Sequence, residues 1–282
     1  AGAALIRPVE KGGVYYEPGL LGQAARFDGM QHLELSPELP LAADRPWTIG
    51  LWIKPTESLA CLVSKIEGTG DRRGFEVLWA KGQLQINLVD RWITSAIELL
   101  TQDPIKRTDW SHVVVSYDGS RRATGVRVFG DGRELRVSVV RDSLQGSISN
   151  REPFRIGRRD SGLGYYGQLD ELRILGRAVS AEDARAWYWS ERLPGILAQP
   201  AAKRDARQQA LVLDHFVERH ADDTVRERHR SAKTARDAEE AFRATLPKTL
   251  VMQESAQPRV TRVLKRGQYD APAETVEAGV PA

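Results

Sequence analysis

The sequence Trp110-Ser-His-Val-Val-Val-Ser-Tyr-Asp-Gly119, followed by Val126-Arg-Val-Phe-Gly-Asp-Gly132, decides the fold class of this chain. Both segments are short and rich in β-branched and aromatic residues, a composition typical of strands. The dipeptides Asp118-Gly119 and Asp131-Gly132 end them, and such pairs tolerate the positive φ angles of tight turns. The two segments therefore predict a β-hairpin in the middle of the chain.

The strand pattern continues on both sides of this hairpin, from about residue 24 to 175. Apolar and mixed positions alternate over residues 47–54, the period-2 pattern of a strand with one buried face. Similar runs are Leu59–Ile66, Gly74–Ala80, Leu84–Val89, Leu135–Val140 and Gln168–Leu175. No helical pattern long enough for a parallel crossover separates them. The sequence predicts a mainly β fold, an antiparallel β-sandwich of the jelly-roll type.

A different composition follows the predicted sandwich. A short helix capped by Ser180 and ended by Pro194-Gly195 is expected to close the sandwich. Residues 200–246 are rich in Ala, Arg, Glu and Asp, and they predict two helices broken near Asp222-Asp223-Thr224. After Pro247 the pattern returns to strands, at residues 249–253 and 260–266. We expect a sandwich domain over 1–195, a charged helical hairpin or linker over 196–246, and a β-hairpin fragment of a following domain over 247–282.

Composition and charge exclude several classes of protein. The 282 residues carry 41 basic and 38 acidic side chains, interspersed through the chain, which argues against a nucleic-acid-binding stripe. No apolar stretch approaches the roughly 18 residues that a membrane-spanning helix needs. The single cysteine, Cys61, excludes an intramolecular disulfide framework and lies in an apolar run, so we expect it to be buried.

Three motifs, in order, resemble the laminin-G-like (concanavalin A-like) jelly-roll family. They are Gly22-Gln-Ala-Ala-Arg-Phe-Asp-Gly29, the central hairpin quoted above, and Gly167-Gln-Leu-Asp-Glu-Leu-Arg-Ile-Leu175 with the helix from Ser180. The resemblance implies the same sandwich that the alternation predicts. It also implies a structural Ca²⁺, with Asp170 giving a side chain and Asp28 and Gly29 adding oxygens. The alternative is that Asp28 forms a turn with Gly29 and that Asp170 binds backbone amides.

The tail is similar to a second kind of protein. Pro247-Lys-Thr-Leu-Val-Met-Gln-Glu254, Arg266-Gly-Gln-Tyr-Asp270 and Gly279-Val-Pro-Ala282 resemble a segment of large planctomycete-type proteins. In these proteins a laminin-G-like insert lies between two domains of unknown function, often beside a cytochrome-c-like region. The resemblance implies an exported protein, periplasmic or on the cell surface, whose flanking domains contact this one. No Cys-x-x-Cys-His motif occurs, so no haem is expected in this segment.

The sequence argues against catalysis by the sandwich. Some jelly rolls hydrolyse glucans with paired carboxylates, which alternate along one strand so that they face one cleft. Here Asp170 and Glu171 are adjacent and should point to opposite faces. We therefore expect a binding module and not an enzyme.

Five residues are candidate contacts for a glycan. Trp92, Tyr165 and Tyr166 lie near polar or glycine-rich segments and are expected to be exposed for stacking on sugar rings. Arg158 and Arg159 are available to an acidic or sulfated sugar, because a guanidinium binds carboxylate or sulfate oxygens in pairs. Two functions stay open at this point: recognition of a polysaccharide or glycan, and a structural or protein-interaction module that packs neighbouring domains.

Overall fold

A computed structural model of the chain describes residues 8–36, 39, 41–105, 109–160, 162–246 and 260–276. The strands are β1 (Val9–Lys11), β2 (Tyr15–Pro18), β3 (Gln23–Asp28), β4 (His32–Leu35), β5 (Trp47–Pro55), β6 (Leu59–Ile66), β7 (Gly74–Ala80), β8 (Gln83–Arg91), β9 (Ser95–Thr101), β10 (Ser111–Tyr117), β11 (Val126–Gly130), β12 (Arg133–Glu134), β13 (Val137–Asp142), β14 (Phe154–Ile156), β15 (Tyr166–Leu175), β16 (Thr261–Leu264) and β17 (Pro272–Val276). The helices are α1 (Ala181–Leu197), α2 (Ala206–His220) and α3 (Asp223–Thr245).

Two antiparallel sheets form the sandwich. The eight-stranded sheet has the order β1-β4-β14-β6-β7-β8-β9-β13, and the seven-stranded sheet has the order β12-β11-β10-β5-β15-β3-β2. The predicted central hairpin is β10 with β11, in which Val114 pairs with Phe129. The predicted fold class, an antiparallel β-sandwich, is confirmed.

The core lies between the inner faces of the two sheets. In β7 every second residue, Phe75, Val77 and Trp79, has no more than 1% of its surface exposed and belongs to this core. The ring of Trp47 from the facing sheet packs 5.4 Å from that of Phe75. Because successive side chains of a strand point to opposite faces, the intervening residues of β7 must lie on the outer face of the sheet.

Helix α1 covers the outer face of the seven-stranded sheet. Ser180 caps it as predicted, in a capping box with Asp183. The ring of Tyr188 stacks on Trp52 of β5 at 5.5 Å. The helix does not end at Pro194 as expected but continues to residue 197. The apolar face extends past the proline, since Ile196 is buried, and packing of this face outweighs the backbone hydrogen bond that proline removes.

The charged segment forms two helices, as predicted. Asp222 caps α3 by accepting a hydrogen bond of 2.9 Å from the Val225 amide. The chain divides into two compact units, residues 1–216 and 217–282. In the first unit, Leu211 and Val212 of α2 pack against the cluster around Trp52, so the start of α2 belongs with the sandwich.

The tail contains one described hairpin, of β16 with β17. The predicted strand at 249–253 and the motif at 279–282 lie outside the described residues. Within the part of the chain that the structure covers, no helix is both long and apolar enough to cross a bilayer. Cys61 is buried, as its apolar surroundings predict.

Candidate functional site

The outer face of the eight-stranded sheet carries a row of polar side chains. Cross-strand pairing places one residue from each of seven strands side by side on this face. We call them the polar row: Glu34, Arg155, Ser64, Glu76, Asn87, Glu98 and Arg141. Neighbouring strands are about 4.8 Å apart, so each member is within reach of the next.

Glu76 lies at the centre of the row and has no exposed surface. Its Oε1 accepts hydrogen bonds of 2.8 Å from Asn87 Nδ2 and from Arg159 Nη2, and its Oε2 lies 2.6 Å from Arg159 Nε. A buried carboxylate needs such partners, because without them the loss of hydration would not be offset. Arg159, a predicted ligand residue, is therefore engaged with a carboxylate of the protein itself.

The loop after β14 brings Arg159 to this position. The Ser64 hydroxyl donates a 2.9 Å hydrogen bond to the carbonyl of Arg158, and the Arg159 amide donates one of 2.9 Å to the carbonyl of Leu163. These bonds fix the loop against the row at both its start and its turn.

Hydrogen bonds continue along the row. Gln85 Nε2 donates to Asn87 Oδ1 at 3.3 Å and to Glu98 Oε1 at 3.1 Å. Arg141 Nε lies 3.9 Å from Glu98 Oε2. From Glu76 to Arg141, planar amide, carboxylate and guanidinium groups thus form a connected network, which holds each group in a defined orientation.

A small cavity opens where the row meets the β8–β9 hairpin. It has a volume of about 50 Å³, and its lining includes Asn87, Glu98 and Arg141 together with Trp92 and Ile93 of the hairpin turn. Trp92 is 37% exposed, as expected for a residue that could contact a ligand. Of the five predicted ligand residues, Trp92 is the one that the structure places on a cavity beside polar groups.

The turn that presents Trp92 is held firmly. The Trp92 amide donates a 2.8 Å hydrogen bond to the carbonyl of Asp71, and the Arg72 guanidinium lies 5.3 Å from the centre of the Trp92 ring. Ile93 has a φ of 75°, a conformation that is strained for a β-branched residue. Its carbonyl accepts a 2.5 Å hydrogen bond from Arg141 Nη1, which helps to keep this conformation.

Four other predicted residues lie around the start of β15. Tyr166 pairs with Asp28 across β15 and β3 and is 40% exposed. Its ring lies directly against Gly29, where a Cβ atom would collide with it. Arg158 Nη1 donates a 3.1 Å hydrogen bond to the carbonyl of Met30. Tyr166 and Asp28 thus lie in the seven-stranded sheet, whereas the Trp92 hairpin belongs to the eight-stranded sheet.

The expectation that Tyr165 is exposed is wrong. Tyr165 has 0% of its surface exposed, packs edge-on against Phe27 at 6.0 Å, and donates a 3.2 Å hydrogen bond to the carbonyl of Gln168. Burial raises the pKa of its hydroxyl. Adjacent residues at the start of a strand point to opposite faces, so only one member of the tyrosine pair can be exposed.

Asp28 and Asp170 do not fit one calcium site. Asp170 accepts hydrogen bonds from the amides of Leu20 at 2.9 Å and Leu21 at 3.1 Å, and burial raises its pKa. Asp28 accepts one of 3.2 Å from the Met30 amide, the turn that was the alternative interpretation. Asp28 faces residue 166, four positions or about 13 Å from Asp170 along β15, whereas calcium ligands lie within about 2.6 Å of the ion.

Calcium binding stays a prediction. In the residues that the structure describes, no three His, Cys, Asp or Glu side chains form a group that could hold a metal ion. A calcium ion in this domain would need backbone or water oxygens for most of its six to eight ligands.

A second polar cluster lies between β10 and α1. The His112 ring is fully buried, 4.9 Å from the ring of Trp52 and 5.2 Å from that of Trp187, and burial lowers its pKa to about 3. Glu191 accepts hydrogen bonds of 2.6 Å from the indole of Trp52 and 2.7 Å from that of Trp187. It also forms an ion pair of 2.6 Å with Arg173. Because of its low pKa, His112 is neutral, and its Nε2 is 3.8 Å from Glu191 Oε2, beyond hydrogen-bond distance. The cluster fastens α1 to the sheet.

None of the seven residues of the polar row was predicted from the sequence. Glu76 lies between Phe75 and Val77 of β7, Asn87 lies between Ile86 and Leu88 of β8, and both are buried. A charged residue between two core residues, such as Glu76, was the signal that could have indicated the row. Such a residue is either paired with an opposite charge or belongs to a functional site. The partner of Glu76, Arg159, lies in a loop 83 positions further along the chain, and no local sequence pattern links the two residues.

Solved structures resemble this fold. The binding domain of Paraclostridial Mosquitocidal Protein 1 matches with a TM-score of 0.53 and 15% identity, over 66% of this chain and 47% of that chain. The binding domains of botulinum neurotoxin serotypes D/C VPI 5993 and C1 each match with a TM-score of 0.50 and 10% identity, over 66% of this chain and 47% of theirs. This chain spans about half the length of these relatives, and at such identities the likeness concerns the fold alone.

Sequence comparison gives the family. No curated protein sequence matches the chain. Residues 27–185, more than half of the chain, match the family model Laminin_G_3, described as the concanavalin A-like lectin/glucanases superfamily. The matched range contains the central hairpin, the polar row and the Trp92 turn. The chain therefore belongs to the concanavalin A-like lectin/glucanases superfamily.

Proposed function

We propose that the sandwich is a non-catalytic carbohydrate-binding module whose ligand lies on the polar row beside Trp92. One observation carries this proposal: a tryptophan with 37% of its surface exposed borders a cavity lined by an amide, a carboxylate and a guanidinium. A sugar offers an apolar C–H face that packs on an indole and a rim of hydroxyls that bonds to planar polar groups.

The size of the cavity agrees with this division of contacts. About 50 Å³ holds one or two water-sized groups, so a hydroxyl or hydroxymethyl group would enter while the sugar ring stays on Trp92. The groups that would meet it are already oriented by Gln85 and by the strained turn at Ile93. Such preorganisation lowers the entropic cost of binding.

The arrangement of carboxylates favours binding over hydrolysis. A glycosidase needs an acid that reaches the glycosidic oxygen. Glu76 is fully buried and both of its oxygens are engaged by Asn87 and Arg159. Glu98 lies two strands away from Glu76, about 10 Å by the spacing of the sheet, and pairs with Arg141. The solved relatives are described as binding domains, which is in keeping with this proposal.

We place this module in a larger exported protein of the planctomycete, cytochrome-associated type that the tail resembles. Its flanking domains would be partners of the present chain. In that setting the module would hold the parent protein on a polysaccharide at the cell surface or in the periplasm.

The second candidate function is a protein-interaction module. Strand β13 is an edge strand of the eight-stranded sheet, and it exposes Val139 by 54% and Val140 by 56%. An edge strand with exposed apolar side chains can pair with a strand of another protein.

A glycan-binding screen separates the two candidates. The full chain, Trp92→Ala and Tyr15→Ala are each applied to neutral and acidic polysaccharides. Tyr15 is a matched control because it is an aromatic residue with 64% exposure on β2, in the other sheet. We expect binding by the full chain and by Tyr15→Ala, and at least a tenfold loss, about 1.4 kcal/mol, in Trp92→Ala. Equal binding by both variants contradicts the proposal, and no binding by any of them favours the protein-interaction alternative.

A further inference from the structure

We propose that a second cavity, independent of Trp92, is a binding site for an anionic group: a carboxylate, a sulfate or a phosphate. The cavity has a volume of about 340 Å³ and is lined by Arg45, Arg121, Ser147, Ser149 and residues 42–44. It lies where the loop before β5, the β10–β11 turn and the segment before β14 meet. Its volume falls in the range of small-molecule sites.

The lining is cationic and rich in donors. Arg121 Nη2 lies 3.7 Å from Asp44 Oδ2, an exposed pair whose side chains are 40% and 60% accessible, so it is weak. The Nε of Arg121 has no hydrogen-bond partner, and Arg45 has no ion-pair partner, among the residues that the structure describes. Two guanidinium groups against one carboxylate leave a net positive charge, and two serine hydroxyls add donors.

A buried tyrosine braces the two walls of this cavity. Tyr117 has no exposed surface, and its hydroxyl donates a 2.7 Å hydrogen bond to the carbonyl of Ala43. The same hydroxyl accepts a 2.6 Å hydrogen bond from the amide of Arg121. Burial raises the pKa of the Tyr117 hydroxyl, so it stays protonated and can donate the hydrogen bond to Ala43. The separation of the walls is therefore fixed before any ligand arrives.

The backbone at the cavity is also constrained. Arg121 has a φ of 58°, a left-handed conformation that is unfavourable for a residue other than glycine. Gly119, with a φ of 84°, packs so closely on Arg45 that a Cβ atom would come within 2.8 to 3.0 Å of its backbone. These two features fix the backbone that carries Arg45 and Arg121 at the cavity.

Two sources can supply such an anion, a free inorganic ion or a charged substituent on a sugar. The probes are sulfate, inorganic phosphate and glucuronate, each titrated calorimetrically into the full chain. Saturable binding of sulfate or phosphate indicates that the charged group is sufficient, and binding of glucuronate alone indicates that the sugar ring contributes. Either result supports an anion site, whereas saturable binding of none of the three overturns it.

Variants then locate the site. Arg121→Gly removes the guanidinium and suits the positive φ, so the protein should fold, and Arg45→Gln removes the other charge. Arg122→Gln is the matched control, since Arg122 is the exposed neighbour with a φ of −124° and is not part of the lining. We expect at least a tenfold weaker affinity in the first two variants and an unchanged affinity in Arg122→Gln and in Trp92→Ala. Equal affinity in all four, or a loss in Trp92→Ala, overturns the proposal, and neither result depends on whether glycans bind beside Trp92.

Discussion

Glu76 is a charged residue with no contact to solvent, in the middle of a β-sheet face. The sandwich accepts it because Asn87 and Arg159 donate hydrogen bonds to its Oε1 and Arg159 forms an ion pair with its Oε2. Replacement of a whole buried ion pair by hydrophobic residues is often tolerated, but removal of one partner alone leaves the other without compensation. Glu76 is therefore the residue on which the order of the polar row depends.

We predict that Glu76→Ala lowers the free energy of unfolding by about 3 kcal/mol, because the guanidinium of Arg159 loses its buried partner. Urea denaturation measures this change. The control is Glu134→Ala, which breaks an exposed ion pair with Arg127 and should cost less than about 1 kcal/mol. Equal effects of the two substitutions would contradict the role assigned to Glu76.

His112 predicts a dependence of stability on pH. Its pKa in the folded protein, about 3, lies below the ordinary value of 6.5 because of burial, with the charge of Arg173 acting in the same direction. The unfolded chain therefore binds more protons between these values, so this contribution is present above pH 6.5 and is lost as the pH falls towards 3. The loss is at most about 5 kcal/mol.

Urea denaturation between pH 7 and 4 tests this dependence, with His112→Phe as the comparison. Burial raises the pKa of Glu191 in the folded protein. Its contribution to the free energy of unfolding therefore has the opposite sign to that of His112, and it is lost as the pH rises through this raised pKa. Because Glu191 is present in both proteins, the difference between them reports mainly on His112. We expect a clearly flatter profile for the variant, and parallel profiles would show that His112 is not held neutral.

At the scale of elements, the contact between α1 and β5 leaves no room for a side chain at one position. A Cβ atom on Gly50 would collide with the indole of Trp187. We predict that Gly50→Ala displaces α1 and lowers stability by about 1–3 kcal/mol, measured by thermal or urea unfolding. Gly176→Ala is the matched control, since a Cβ there meets no atom within 4 Å and should change stability little. Equal stability of the two variants would mean that α1 is not docked as described.

Periodicity in the sequence predicts some elements and misses others for physical reasons. β6 and β7 have the predicted bounds because each is a run of seven or eight mostly apolar residues between turn signals. β14 was missed because it has three residues, too few for a period to be visible. The end of α1 was misplaced because local propensity stops it at Pro194, whereas burial of Ile196 extends it.

The candidate site was less predictable than the fold. Trp92 was identified from polar neighbours near a strand end, a local signal. Its partners Asn87 and Glu98 come together through the pairing of β8 with β9, and Arg141 through that of β9 with β13. Alternation indicates which face a residue occupies, but only the register of distant strands indicates which residues it meets.

At the scale of the sandwich, the two outer faces differ in what covers them. α1 packs on the seven-stranded sheet through Tyr188 and Trp187, and it is fastened by the His112 and Glu191 cluster. The eight-stranded sheet presents the polar row and the Trp92 cavity. Under the proposed function, the covered sheet supports the fold and the polar sheet binds the ligand.

The predicted calcium ion has a test on the whole protein. If an ion binds the folded state alone, saturating Ca²⁺ at 100 times its Kd stabilises it by about 2.7 kcal/mol. For a sandwich of this size we then expect the Tm to fall by at least about 4 °C when a chelator is added. Mg²⁺ in place of Ca²⁺ is the control. An unchanged Tm after addition of the chelator would contradict the prediction that the protein binds calcium.

The most direct test of the binding surface is an amide NMR titration of the full chain with the glycan that binds best in the screen. The account predicts that the perturbed amides cluster at residues 87–98 and at Arg141, around the Trp92 cavity. Perturbations confined to the loops of Arg158 and Tyr166, or to α1, would show that recognition takes place elsewhere and would contradict the assignment of the eight-stranded sheet.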